Sequence, residues 1–296
     1  LTMLRLSDIN FRDPFILPVP DERAYYLYGT EGAVAWSGKP SGFDCYRSTD
    51  LEQWEGPLPA FRVPEGFWAD HHFWAPEVHL YEGRYYMFAS FKAEERRRAT
   101  QILVADRPGG PFVPHGEGPV TPSDWECLDG TLYVDESGKP WMVFCREWLQ
   151  VTDGEMYAVE LKPALDGTVG EPVLLFRASE SGWSLPGKEG QYVTDGPFMH
   201  RMADGELVML WSSLGTRGYA MGIARSASGL VTGPWTHEAE PFYKEDGGHG
   251  MLFRDFGGRL LLTIHTPNRN PQERPVLLEL RESGGRFELA EAGAEA

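Results

Sequence analysis

The feature that most constrains this chain is a repeat. Five times along its 296 residues an apolar run is followed by a turn and a second apolar run. The first is Asp13-Pro14-Phe15-Ile16-Leu17 with Ala24-Tyr25-Tyr26-Leu27-Tyr28, and the second is Pro76-Glu77-Val78-His79-Leu80-Tyr81 with Arg84-Tyr85-Tyr86-Met87-Phe88. The third joins Asp129-Gly130-Thr131-Leu132-Tyr133-Val134 to Pro140-Trp141-Met142-Val143-Phe144, and the fourth joins Asp195-Gly196-Pro197-Phe198-Met199 to Glu206-Leu207-Val208-Met209-Leu210-Trp211. The fifth runs from His249-Gly250-Met251-Leu252-Phe253 to Arg259-Leu260-Leu261-Leu262-Thr263-Ile264. The connecting turns hold Gly, Asp or Pro, which marks each pair as a hairpin. A third strand follows, as in Gln101-Ile102-Leu103-Val104-Ala105, and then a short outer one, often after a Gly-Pro-aromatic step such as Gly110-Pro111-Phe112.

The landmark residues lie 52 to 66 positions apart. That is longer than a propeller blade of ~40–50 residues and leaves room for one insertion loop each. Almost no segment of helical length shows the 3.6-residue period. These observations predict an all-β chain, a five-bladed β-propeller with four-stranded antiparallel blades; a two-sheet sandwich with irregular turns is the competing reading. A single blade cannot bury both of its faces, so residues 1–296 are expected to form one propeller domain. Only the Ala/Glu tail from about Ala290 is expected to fray.

Composition narrows the partners. With 27 Lys and Arg against 44 Asp and Glu, the net charge is −17, which argues against a nucleic-acid backbone or an anionic membrane as ligand. No apolar run approaches the ~18 residues of a membrane span, and Leu1 to Asp13 shows no basic segment leading into an apolar one. If Met3 is the native start, the expected location is the cytoplasm; a leader removed ahead of Leu1 would instead make the protein secreted. Cys45, Cys127 and Cys145 have no metal-ligand spacing and are expected to be buried small hydrophobes. Sixteen Phe, ten Trp and twelve Tyr favour strands and, less strongly, a sugar ligand.

In a propeller the innermost strand of each blade starts at one mouth of the central channel. The repeat therefore carries Asp13, Glu77, Asp129, Asp195 and His249 towards a single axis. Crowded carboxyl groups repel one another, which raises at least one pKa and suits general acid–base chemistry. Taken singly, each residue has a plainer reading. An Asp before Pro or Gly caps turns, Glu77 pairs with a buried Arg, and His249 is a satisfied core histidine. Their common place in successive blades is what separates them from independent turn caps.

At these residues the chain resembles the five-bladed glycoside hydrolases of family 43, the arabinanase, α-L-arabinofuranosidase and β-xylosidase group. The resemblance spans essentially the whole chain. It rests on Arg12-Asp13-Pro14, Phe73-Trp74-Ala75-Pro76-Glu77, Asp129-Gly130-Thr131-Leu132-Tyr133, Thr194-Asp195-Gly196-Pro197 and Gly248-His249-Gly250. It implies Asp13 as the general base that activates water, Asp129 as the carboxylate that raises the acid's pKa and orients it, and Asp195 as the general acid. It also implies inversion at the anomeric centre, and calcium or another ion held near the axis by His249, directly or through water. No organic cofactor is implied. The implied activity is release of terminal α-L-arabinofuranosyl or β-D-xylosyl residues from plant-cell-wall oligosaccharides.

The chain departs from the family at the acid, which is usually Glu. Asp195 is one methylene shorter, and Glu189 is the alternative donor. Trp125-Glu126-Cys127 also resembles the acid motif of the family 32 fructan hydrolases, but the nucleophile segment of that family is missing and Glu126 reads as a loop residue. Trp36, Phe73, Trp74, Trp148 and Trp211 are candidates to stack on sugar rings. Glu77 and Arg274 are candidate substrate contacts, and His71-His72 a candidate border of the subsite. A non-catalytic sugar-binding propeller, a phosphorolytic propeller enzyme and a fructan- or galactofuranoside-type hydrolase remain the rival readings.

Overall fold

The computed structural model describes residues 2–290; the expected fraying beyond Ala290 concerns residues outside that range. Five antiparallel sheets follow one another along the chain. Blade one contains Phe11–Val19, Ala24–Glu31, Gly42–Ser48 and Trp54–Arg62; blade two contains His71–Tyr81, Arg84–Ala93, Arg96–Ala105 and Val113–Pro114. Blade three contains Cys127–Val134, Pro140–Arg146, Glu155–Leu161 and Thr168–Arg177, and blade four Asp195–Arg201, Leu207–Gly215, Gly218–Ser226 and Thr236–His237. Gly248–Arg254, Leu260–Thr266, Arg274–Ser283 and Arg286–Leu289 make blade five. The innermost strands touch in order and the last touches the first, so the sheets form a closed five-bladed β-propeller rather than a sandwich. One α-helical turn, Trp148–Val151, and a few short 3-10 turns are the helical content of the described residues.

Blade one corrects the expectation of four strands in every blade. Thr2–Leu4 adds a fifth, pairing antiparallel with the outer strand through Met3 and Glu55. Three residues give too short a run for a strand signal, and the partner lies some fifty positions away.

The core lies between the blades. Phe43, Phe61, Phe73 and Phe91 pack together where blades one and two meet, and Met209, Trp211, Phe176 and Trp183 do so between blades three and four. Burying each such side chain contributes about 1.5–3 kcal/mol. Cys45, Cys127 and Cys145 are free and buried, as expected of small hydrophobes. No helix among the described residues is long and apolar enough to cross a membrane.

A polar clasp closes the ring. Arg12 Nη1 donates to Glu273 Oε1 at 3.0 Å, Asn10 Nδ2 to the carbonyls of Pro271 and Glu273 at 3.0 Å each, and Arg274 Nε to Ser7 O at 2.8 Å. Glu273 is fully buried. Removing one member of a buried ion pair leaves an uncompensated charge. Glu273→Ala is therefore expected to lose about 3–5 kcal/mol of stability, read as a lower urea midpoint.

Candidate active site

Each innermost strand breaks its pairing at the same point. Three steps along it match two along the second strand, between Arg12 and Phe15, Trp74 and Glu77, Leu128 and Thr131, Asp195 and Phe198, and Gly248 and Met251. In each interval one residue is left-handed: Asp13 (φ 53°), Ala75 (47°), Asp129 (58°), Gly196 (52°) and His249 (43°). For a residue with a Cβ this conformation costs of order 1–3 kcal/mol. The common position is therefore real for Asp13, Asp129 and His249. Glu77 stands two residues after the left-handed position of its blade, and Asp195 one residue before.

Gly196 has two reasons to lack a side chain, its positive φ and the His249 ring, which lies 2.7 Å from where a Cβ would be. Around that glycine the functional groups converge. His249 Nδ1 is 3.2 Å from Asp13 Oδ1 and 3.5 Å from Asp129 Oδ2. Asp129 Oδ2 also accepts from Gly196 N–H at 3.0 Å, and Asp195 Oδ2 accepts from Tyr219 O–H at 2.8 Å. Thr30 Oγ1 donates to Asp13 Oδ2 at 2.6 Å.

These contacts separate the three carboxyls. Burial alone would raise the pKa of Asp13, but His249 and Arg12, whose Nε is 3.8 Å away, outweigh it and hold the group below the ordinary carboxylate range. Asp195 is pushed the other way by burial and by the Asp129 charge, beyond what His249 and Tyr219 relieve. Asp129 is also raised, by burial first and by Asp13. His249 is pushed up to about 10, because Asp129 and Asp13 overcome the burial that disfavours its charge. Burial brings His265 down to about 3, so that ring is neutral. Its Nδ1 accepts from Asp13 N–H at 3.0 Å, which places its own proton on Nε2, facing Asn268 Oδ1 at 3.0 Å.

The carboxyls open on a cavity of about 520 Å³. Trp74 lines it, with Nε1–H on Ala35 O at 2.6 Å, Arg98 Cζ 3.8 Å from the ring centroid and the His72 ring stacked at 4.7 Å. Trp36 and Trp148 also line it. Several expected contacts are elsewhere. Trp211 is fully buried between Phe176 and Trp183, which removes it as a sugar platform, and Phe73 is core as well. Arg274 places Nε and Nη1 on the carbonyls of Ser7, Pro271 and Glu273 in the ring clasp and does not line this cavity. Glu77 is buried against His79, Oε2 to Nε2 at 3.0 Å, rather than facing the cavity or pairing with Arg.

His71 faces Asp70 at 2.8 Å, away from the cavity that His72 lines, and Glu189 is exposed outside it. Glu126 borders a different groove, and Lys92 at 2.8 Å with Arg98 N–H at 2.6 Å keeps its carboxyl ionised and low, against its burial. Sequence reading did not single out Tyr219, Thr30, His265 or Asn268 for this site. They come from second and third strands and a loop, where no spacing marks them.

Among the described residues no three His, Cys, Asp or Glu side chains form a metal-ligand group. The axis offers His249, whose Nδ1 already faces two carboxylates, so most ligands of a six- to eight-coordinate calcium would be waters.

Fold and site together define a five-bladed propeller with three carboxyls gathered around one histidine at its axis. The chain belongs to family 43 of the glycosyl hydrolases, whose family model matches residues 7–282. A solved structure described as an endo-arabinase from Bacteroides thetaiotaomicron VPI-5482 is 44% identical over 96% of this chain and 99% of that one, with a TM-score of 0.89. Xylosidase/arabinosidase 43A of Humicola insolens is 31% identical over 27% of this chain and 24% of its own length. Extracellular exo-alpha-(1->5)-L-arabinofuranosidase ArbA of Cellvibrio japonicus (strain Ueda107) is 26% identical over 48% of this chain and 42% of its own. The matches to these two curated relatives thus span less than half of each.

The opposite pKa directions make opposite stability predictions. The lowered pKa of Asp13 contributes stability that is present above its unfolded value and is lost as pH falls through the folded one. The raised pKa of Asp195 contributes stability that is full below the unfolded value and is lost as pH rises through the folded one. At pH 8, Asp13→Asn is expected to lower Tm and Asp195→Asn to raise it, each by roughly 2–4 °C. Shifts of the same sign in both would contradict the charge assignment. For the aromatics, Trp74→Ala is expected to raise KM for a sugar substrate, whereas Trp211→Phe lowers Tm and leaves KM alone.

Proposed function

We propose that the protein is an inverting glycosidase that releases terminal α-L-arabinofuranosyl or β-D-xylosyl residues from oligosaccharides of the plant cell wall. Asp13 is the base, Asp195 the acid, and Asp129 the group that raises and orients the acid. The observation that carries this reading is the placing of two carboxyls on one cavity, Asp13 between His249 at 3.2 Å and Arg12 at 3.8 Å and Asp195 against the Tyr219 hydroxyl at 2.8 Å, surroundings that lower the pKa of the first and raise that of the second. Pairs of titratable groups pushed apart in this way mark an acid and its base. Family membership and the xylosidase and arabinosidase names of the curated relatives supply the sugar classes.

In this reading a water attacks the anomeric carbon and gives its proton to Asp13 as the glycosidic bond breaks. Asp195 delivers its proton to the departing oxygen, and the configuration inverts. Tyr219 O–H occupies Asp195 Oδ2, which leaves Oδ1 to carry the transferred proton. The positive His249 between Asp13 and Asp129 keeps the base from capturing the acid's proton. A calcium or other ion near His249 belongs to the proposal as a structural element held through water, since a protonated imidazole has no lone pair to offer, and no step passes through it.

Likeness to an endo-arabinase over nearly the full chain favours a second reading, cleavage within arabinan chains.

The test is hydrolysis of aryl α-L-arabinofuranoside, aryl β-D-xyloside and linear arabino-oligosaccharides, with the anomer of the first product read by NMR. Turnover of an aryl glycoside with inversion is expected. It should fall ~10²–10⁴-fold in Asp13→Asn and in Asp195→Asn. The pH profile should lose activity on the acid side as Asp13 protonates and on the alkaline side as Asp195 ionises. Internal cleavage of arabino-oligosaccharides without aryl turnover would select the second reading. Inactivity on all three, with sugar binding retained, would replace both with a binding propeller. EDTA dialysis followed by calcium tests the ion, which is discarded if turnover and Tm do not respond.

A further inference from the structure

The left-handed residue of each innermost strand has an N–H that its own ladder does not use. In four blades that N–H is accepted by a side chain on the second strand of the preceding blade. Thr30 Oγ1 accepts from Ala75 at 2.7 Å, Ser90 Oγ from Asp129 at 2.9 Å, Ser212 Oγ from His249 at 2.9 Å and His265 Nδ1 from Asp13 at 3.0 Å. All four acceptors occupy one place on the second strand, opposite the residue just before their own blade's left-handed one: Arg12 faces Thr30, Trp74 faces Ser90, Asp195 faces Ser212 and Gly248 faces His265.

In blade three that place, opposite Leu128, holds Cys145. Its Sγ lies 3.8 Å from Met156 Sδ in the core, and a thiol is a weak acceptor. The N–H of Gly196 goes instead to Asp129 Oδ2 at 3.0 Å.

Blade one shows what an oxygen at that place does. Asp13 and Asp129 are the left-handed residues of blades one and three. In blade one the Thr30 hydroxyl stands between the carboxylate and the next blade, donating to Asp13 Oδ2 at 2.6 Å while accepting from Ala75 N–H. In blade three no hydroxyl intervenes, so the carboxylate reaches the next blade's backbone itself.

We infer that Cys145 is a positioning residue: by presenting no oxygen at the fifth place of this ring, it leaves the Gly196 N–H to Asp129 and so holds that carboxylate beside Asp195. The inference rests on the proposed role of Asp129. Asp195 and Gly196 are adjacent in the chain, so the bond ties Asp129 to the backbone that carries the acid. A hydroxyl at position 145 would rebuild the blade-one arrangement, accepting from Gly196 and drawing Asp129 away from it.

The experiment compares Cys145→Ser with Cys145→Ala on whichever aryl glycoside the wild type hydrolyses, with Asp129→Ala alongside; Cys145→Val replaces the Ala variant if that one does not fold. A cysteine that only fills space predicts serine, nearly isosteric, as the milder change. Positioning predicts the reverse: kcat of Cys145→Ser about 10-fold or more below that of Cys145→Ala, the worth of one hydrogen bond to a charged group, with KM of the two within about twofold. Tm of the serine variant should be at or above that of the alanine variant, which separates the kcat loss from damage to the fold. A serine variant that matches or exceeds the alanine variant in kcat overturns the inference. If Asp129→Ala keeps wild-type kcat, the role of Asp129 falls and the inference falls with it. If Asp129→Ala is inactive while serine and alanine variants agree, only the inference about Cys145 is lost.

Discussion

The left-handed bulge at the start of each innermost strand is the constraint on which the rest depends. A regular strand alternates its side chains between the two faces of the blade, and both faces are packed against neighbouring blades. Inserting one residue with positive φ breaks that alternation and lets Asp13, Asp129 and His249 meet at the axis. It also strands an N–H, which each blade places on a side chain of the blade before it, at Gly196 on the candidate carboxylate Asp129. Backbone strain, inter-blade bonding and the placing of the carboxyls are thus one feature.

The electrostatics follow from how few cations reach this point. Three carboxyls share the axis with His249 and the nearby Arg12. His249 and Arg12 both face Asp13, so Asp13 keeps its charge at little cost. Asp195 receives less of that relief and more of the Asp129 field, so its neutral form is favoured. Difference between the two carboxyls is created by position around one imidazole, not by residue type.

Much of this was legible along the chain. Asp13, Asp129 and His249 were found because they hold the same place in a repeat, and a repeat is visible without coordinates. The same counting brought Asp195 to the cavity but one residue off the shared register, and set Glu77 two residues off it, since the left-handed residues of blades two and four are Ala75 and Gly196, neither of which carries a charge to notice. Trp211 and Trp74 are alike as letters. One points between blades three and four and the other lines the cavity, because both faces of a propeller blade are apolar and alternation does not tell core from channel. Tyr219 and Thr30 touch Asp195 and Asp13 from other strands, through contacts that have no sequence period.

By itself the sequence determined the number of blades, the strand order within them and three of the axial residues, because hairpin periodicity and repeat position are local properties of the chain. Only the tertiary structure decided which carboxyl stays ionised, which aromatics face the cavity and which N–H holds Asp129. Those outcomes depend on distances of about 3 Å between residues tens to hundreds of positions apart, and these distances exist only once the ring has closed.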